Sequence, residues 1–182
     1  MKTLTLLSLT IILFAACKKD TRIGPEIPPS VTVAVAASID TLPDKAGFRV
    51  KIFQDSVNYQ ETSVIFKHTS SPDYVFGEDA PYMPGFGKVS LSSISKDGKD
   101  LSMSIMPYTP GTGIGLNATT KSGGSFFLKV SAIYKMPSDT KIWLKDNYLK
   151  DSVDLRSGNY AFKVDEADLS SFGKKRFVLV VR

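Results

Sequence analysis

The 182-residue chain has few of the residues that most often carry out chemistry, with one cysteine, one histidine and one tryptophan. A single cysteine excludes an intramolecular disulfide framework and any zinc or iron–sulfur site built from several cysteines. A single histidine excludes sites that need several imidazole ligands. Basic residues outnumber acidic ones by 23 to 18 but are spread along the chain, so the charge does not predict a nucleic-acid-binding surface. The length suits one domain with a substantial core.

His68 is the one residue available for histidine-based catalysis. It can be combined on paper with Ser70 or Ser71 and with Asp73 or Asp79. No Gly-x-Ser-x-Gly turn marks either serine as a nucleophile. We therefore expect His68 to be an ordinary polar residue at the end of a strand, and we predict that the protein is not an enzyme.

The first 16 residues read as an export signal. Lys2 is followed by an apolar stretch over residues 4–14, which is shorter than the roughly 20 residues that a membrane-spanning helix needs. Small residues then precede Cys17, as a signal peptidase requires. The arrangement resembles a bacterial lipoprotein signal, although Phe14 stands where such signals usually have leucine. The resemblance implies that Cys17 is lipidated, whereas the alternative is an ordinary secretory signal with an incidental free cysteine.

The residues after the cysteine point to a tether and to a location. Lys18-Lys19-Asp20 resembles the short signal that sends Bacteroidetes lipoproteins to the cell surface; alternatively, it is only the start of a solvated linker. Residues 17–30 are rich in proline, which favours an extended, semi-rigid spacer. The expected location is the outer membrane, on the cell surface, with the periplasmic face left open.

Residues 31–182 are predicted to form one all-β domain, because short apolar runs alternate with polar residues and are broken by turn residues. Phe48, Val50 and Ile52 illustrate the alternation, and Asp97-Gly98 predicts a two-residue type I′ hairpin. The final run is apolar on both faces and should be a central strand. The ten runs cover residues 31–37, 47–53, 61–67, 88–95, 99–106, 113–119, 124–134, 140–145, 158–164 and 175–182.

The expected architecture is an antiparallel β-sandwich of about ten short strands, jelly-roll or immunoglobulin-like, in preference to a closed barrel. In the fifth run we expect Leu101, Met103 and Ile105 to face the core. No segment predicts a convincing helix, although residues 164–172 can form one turn with aspartate caps.

Several segments, in order, resemble a β-sandwich module of secreted Bacteroidetes proteins that often precedes the sorting domain of the type IX secretion system. Two departures are Glu78-Asp79-Ala80 in place of Tyr-Asp-Ala and the lack of a sorting domain after Arg182. The resemblance implies a sandwich fold and an envelope location, and it transfers no catalytic residue. The matching segments are TSVIF (62–66), FGEDA (76–80), LSSI (91–94), LSMSIMP (101–107), IWLKD (142–146), YAF (160–162) and RFVL (176–179).

Aromatic side chains supply the candidate ligand-binding residues. Tyr74, Phe76, Tyr82 and Phe86 lie in a segment stiffened by prolines, where they can form a platform for sugar rings or for a partner protein. The alternative is that this loop folds its aromatic residues over one end of the core. Trp143 shares its predicted face with two lysines, and it is either an exposed recognition residue or buried by a neighbouring loop.

Asp146, Asp151 and Asp154 lie close together in the sequence after an apolar strand. Closely spaced aspartates in a loop are typical calcium ligands, although the spacing does not fit an EF-hand. The alternative is a solvated turn between strands. A structural calcium ion is the one cofactor that the sequence suggests.

These observations favour a lipid-anchored surface protein with a non-catalytic binding or adhesion role toward a glycan or a protein partner. An alternative is a structural or accessory subunit of an outer-membrane secretion, gliding or nutrient-uptake complex. A hydrolase that uses carboxylates not paired by the sequence is the third hypothesis. Nucleic acid is not an expected partner.

Overall fold

The computed structural model describes residues 42–182. The predicted signal peptide, Cys17, the tether and the run at 31–37 lie outside the described residues. Of the ten predicted runs, the other nine each correspond to a strand. The eleven strands are β1 (Ala46–Phe53), β2 (Tyr59–Phe66), β3 (Ala80–Pro81), β4 (Val89–Ile94), β5 (Asp100–Met106), β6 (Gly113–Thr120), β7 (Gly124–Tyr134), β8 (Ile142–Asp146), β9 (Asp151–Asp154), β10 (Tyr160–Val164) and β11 (Gly173–Val181).

All the strands belong to one mixed sheet that is nearly closed into a barrel-like shape. Its order is β10-β7-β1-β2-β5-β4-β6-β11-β8-β9, and β3 pairs with β5 outside this path. The all-β prediction is confirmed. The expectation of purely antiparallel pairing is wrong at one point, because β2 and β5 run parallel.

Over residues 42–182 the only helical element is a single 3₁₀ turn, Leu169–Ser171. Asp168 caps this turn by accepting a hydrogen bond from the Ser170 amide. The structure thus confirms the expected aspartate-capped turn in this segment.

Alternation sets which side chains form the core. Phe48, Val50 and Ile52 on β1 are fully buried, and the lysine and arginine between them are not. Phe162 on β10 follows the same rule, as its neighbours on either side are exposed. These predictions from the period-two pattern are confirmed.

The alternation predicted for β5 is wrong. Leu101 is buried, but Met103 and Ile105 are only half-buried, whereas Ser104 is buried. The pairing with β3 shifts register here, so that β5 advances by two residues where β3 advances by one. An extra residue in a strand moves the following side chains to the opposite face. Met103 and Ile105 therefore face outward.

The hairpin between β4 and β5 is present, but its turn differs from the predicted one. Gly98 has a positive φ of 85°, while Asp97 does not. The Gly98 amide donates to the Ser95 carbonyl and the Ser95 amide donates to the Lys99 carbonyl. This is a three-residue loop in which only glycine adopts the left-handed conformation.

Strand β11 is central, as its sequence predicts, because it pairs with β6 on one side and with β8 on the other. Its fourth residue, Arg176, is fully buried and forms an ion pair of 2.9 Å with the buried Asp146 on β8. Arg176 also donates to the carbonyl oxygens of Lys163 (2.8 Å) and Ser171, and the Tyr160 hydroxyl donates to Asp146. These contacts join β8, β10, β11 and the 3₁₀ turn.

Candidate ligand-binding groove

An open groove of about 670 Å³ lies on the outer face of β1, β2 and β5. This volume is in the range of pockets that bind small molecules. Its floor consists of Ile65, Met103 and Ile105. The remaining lining residues are Lys45, Arg49, Ser63, Lys67, Gly77, Glu78 and Tyr134.

The parallel pairing of β2 and β5 creates the apolar floor. Ile65 lies directly opposite Ile105, and Ser63 lies opposite Met103. Residues paired in this way point to the same face of a sheet. The outward turn of Met103 and Ile105 thus places them beside Ile65.

Charged residues border this floor. Arg49 contacts Glu61 at 3.4 Å and donates from Nε to the Ser63 hydroxyl, while Lys67 and Glu78 form an ion pair of 2.5 Å. Both pairs are partly exposed, so each contributes little to stability.

A turn over residues 75–79, fixed by hydrogen bonds to Asp79, forms one wall of the groove and carries an exposed aromatic ring. The buried carboxylate of Asp79 accepts hydrogen bonds of 2.7 Å from the Val75 amide and from the Ile105 amide on β5. Gly77 allows the tight turn with a φ of 86°. Phe76, next to Gly77, leaves 90% of its surface exposed. A fixed backbone therefore presents Phe76 beside the groove.

The other predicted aromatic residues of this segment do not join Phe76 in one platform. The Tyr74 amide donates to Asp97, and the Lys99 ammonium lies over the Tyr74 ring at 5.4 Å. Tyr82 is half-buried, and its backbone amide donates a hydrogen bond to the Asp100 carbonyl. Phe86 is fully exposed, and its carbonyl accepts a hydrogen bond from Lys121. Because Phe76 and Phe86 project into solvent, the alternative that the loop folds its aromatic residues over the core fails for both.

Trp143 lies on β8, far along the sheet from the groove. As predicted, it is on the opposite face from the buried Ile142 and Leu144. Trp143 is half-buried, and the Arg182 guanidinium lies 5.4 Å from its ring. The structure therefore does not bring Trp143 together with the proline-stiffened segment that carries Phe76 and Phe86.

The three aspartates proposed as calcium ligands have separate partners. Asp146 is the counter-ion of Arg176. Asp154 accepts hydrogen bonds from the Ile142 and Arg156 amides, and it forms an ion pair of 3.3 Å with Lys141. Asp151 is exposed. Within residues 42–182 no three His, Cys, Asp or Glu side chains are grouped to hold a metal ion. Calcium binding by this trio stays a prediction.

Local hydrogen bonding keeps these buried carboxylates charged. Burial raises the pKa of Asp146, but hydrogen bonds from Arg176 and from the Leu149 amide outweigh it and bring the pKa below its ordinary value. Asp154 is similar, because hydrogen bonds from the Arg156 amide and from Lys141 overcome the effect of burial and lower its pKa.

Sequence reasoning missed the groove residues Ile65, Met103, Ile105 and Tyr134. One signal for them was present. Val64, Ile65 and Phe66 are consecutive apolar residues, so one of them had to face away from the core. Val64 and Phe66 are buried, and Ile65 is the outward residue.

None of the helical structure in residues 42–182 is long and apolar enough to cross a membrane. The chain matches no protein-family model, no curated protein and no solved structure.

Proposed function

We propose that this protein is a non-catalytic binding module and that its ligand, a glycan or a protein segment, occupies the groove. The observation that carries the proposal is the position of Phe76, an exposed aromatic residue on a hydrogen-bonded turn beside an apolar floor. An exposed aromatic residue on a fixed backbone loses little conformational entropy on binding, which favours recognition.

The polar residues of the groove suit recognition better than acid–base catalysis. Among its described lining residues the one carboxylate is Glu78, and Lys67 pairs with it at 2.5 Å. A pair of carboxylates with different protonation states is the usual requirement for glycoside hydrolysis. The groove instead offers an apolar floor with a few polar groups at its edge, as binding sites do.

A panel of polysaccharides and a pull-down from envelope extracts test this proposal. Phe76→Ala is expected to weaken binding about tenfold or more, as for a recognition hot spot. Phe86→Ala removes an equally exposed ring from the same segment but outside the groove, so it is the matched control and should have little effect. Equal losses in the two variants, or no loss in Phe76→Ala, would refute the assignment.

The alternative is a structural or accessory subunit of an outer-membrane secretion, gliding or nutrient-uptake complex. Exposed apolar residues beyond the groove, such as Met83 and Phe86, favour it, because such residues mark contact surfaces. Stable co-purification with other envelope proteins, together with no binding across the polysaccharide panel, would support this role instead.

We also propose that Cys17 carries a lipid and holds the protein at the outer membrane, on the cell surface. The support is the sequence resemblance to Bacteroidetes lipoprotein signals and to the module that accompanies type IX sorting domains. Cys17→Ser should move the protein from the membrane fraction to the soluble fraction. Its retention in the membrane fraction would contradict the anchor.

On the finer architecture, we propose that the sheet is a β-sandwich whose layers meet where β2 pairs with β5. In support, Phe162 and Tyr160 on β10 pack their rings against Phe177 on β11, at 4.9 and 6.4 Å. These two strands are distant along the sheet, so their side chains meet across the core. The proposal includes a jelly-roll or immunoglobulin-like connection of the strands.

A further inference from the structure

A second concave surface lies between the β8–β9 turn, the 3₁₀ turn and the start of β11. This basin has a volume of about 740 Å³ and is separate from the groove. Its polar lining includes Thr119, Asn147 and Ser170, and its apolar lining includes Tyr148 and Leu169. Leu169 is 77% exposed, so its apolar side chain is accessible at the edge of the basin.

Tyr148 is a fixed wall of the basin. Its ring lies over the buried Arg176 guanidinium at 5.0 Å. Its hydroxyl hydrogen-bonds to Asp168, and this bond and the negative charge of Asp168 raise the pKa of Tyr148. The ring is 40% exposed, so one part of it remains free to stack against a ligand.

The basin carries positive charge that the protein does not neutralise. Lys174, Lys175 and Arg176 form the longest basic run of the chain, which the sequence interpretation overlooked. Arg176 forms an ion pair with Asp146, and Lys174 forms one with Asp100 at 2.6 Å. In the part of the chain that the structure describes, Lys175 and the nearby Lys150 form no ion pair.

A second depression that includes Tyr148 carries a net negative charge. Its volume is about 350 Å³, and its charged lining residues are Asp165, Glu166 and Lys163. An anion would be repelled from that depression and attracted to the side of Lys150 and Lys175. The charge distribution therefore favours an anionic ligand on the side of the basin that carries Lys150 and Lys175.

We propose that this basin binds a segment of an anionic polysaccharide. Sulfate or carboxylate groups of the ligand contact Lys150 and Lys175, and a sugar ring stacks on Tyr148 beside Leu169. Thr119 and Asn147 supply polar groups for sugar hydroxyls. A concave surface that combines an aromatic ring, polar side chains and free lysines suits a polymer chain better than a flat lipid surface. The proposal does not depend on the groove or on its ligand.

Dextran sulfate and dextran test it, because they share a backbone and differ in charge. Binding to dextran sulfate should be saturable and should weaken with salt, while dextran should not bind. The double variant Lys150→Gln/Lys175→Gln should lose about fivefold in affinity per lysine. The double variant Lys96→Gln/Lys135→Gln makes the same charge change elsewhere, so it should lose less than twofold.

Variants of Tyr148 distinguish a specific binding site from a surface that is only basic. Tyr148→Leu should weaken binding about threefold or more without a change in charge. Tyr148→Phe keeps the ring and should bind like the unmodified protein, and circular dichroism checks that each variant is folded. Equal losses in the two lysine double variants, or full binding by Tyr148→Leu, would overturn the proposal. So would binding to phosphatidylglycerol vesicles without binding to dextran sulfate, which would indicate a membrane surface.

Discussion

Replacing Arg176 with methionine keeps a long apolar stem but removes the charge and the five N–H donors of the guanidinium. In the protein these donors satisfy Asp146 and the carbonyl oxygens of Lys163 and Ser171. The guanidinium itself lies over the rings of Phe162 and Phe177, with its Cζ atom 4.8 Å from the centroid of each ring. A methionine side chain is long enough to bring its thioether against the same rings. Methionine therefore retains most of the packing, and the cost of the substitution comes from the polar contacts.

The main cost is the carboxylate that loses its partner. Asp146 is 2% exposed, so without Arg176 it is a buried charge with no counter-ion. Breaking a buried ion pair by removing one partner typically costs about 3–5 kcal/mol. A domain of this size has a total stability of roughly 5–15 kcal/mol, so the variant should be severely destabilised.

Urea unfolding measures this effect. Arg176→Met should lower the midpoint while the slope stays unchanged, which shows that the free energy of unfolding has changed rather than the extent of unfolding. If that variant does not fold, Asp146→Asn keeps the side-chain volume and should show a smaller loss in the same direction. The double variant Asp146→Leu/Arg176→Met should be more stable than Arg176→Met alone, because no buried charge remains. A loss below about 1 kcal/mol for Arg176→Met, or additive losses in the double variant, would refute this reasoning.

Three further predictions follow from individual residues. Because the pKa of Asp146 is lowered in the folded protein, its stabilisation is present at neutral pH and is lost as the pH falls below about 4; Asp146→Asn should flatten the fall in urea-unfolding free energy there. Burial and the charge of Asp146 raise the pKa of Tyr160, so an ultraviolet titration should show one tyrosine that ionises only on alkaline unfolding and that Tyr160→Phe removes. Gly47→Ala would place a Cβ 2.3 Å from the Val64 carbonyl oxygen and should lower the free energy of unfolding by about 1–3 kcal/mol, and with it the thermal midpoint. Gly158→Ala meets no atom within 4 Å and should be neutral or slightly stabilising.

The all-β class and most strand positions could be predicted because they depend on local alternation. Phe48, Val50 and Ile52 are buried as their spacing requires. Strand β9 was missed because its sequence, Asp-Ser-Val-Asp, has one apolar residue and no alternation that marks a buried face. Strand β3 is a two-residue pairing that has no local sequence signature.

The site was harder to predict because it depends on contacts between distant segments. The apolar floor exists only because Ile65 lies beside Ile105 in a parallel pair, and no local pattern specifies which strands become neighbours. Arg176 follows two lysines at the start of the final apolar run, and no local pattern marks its charged side chain as buried, yet it is fully buried. Asp146 has the sequence context of either a metal ligand or a solvated turn residue, and no local pattern identifies its ion-pair partner Arg176, 30 residues away.

The pairing of β1 with β7 has a consequence for how the protein reaches its folded state. Gly47 pairs with Tyr134, and the counter-ion of Asp146 is supplied by β11, the last strand. Such long sequence separations impose a high contact order, and proteins with this property fold slowly. A chain from which β11 has not yet emerged cannot complete its core, so it should remain open to proteases and chaperones until translation has passed Arg176.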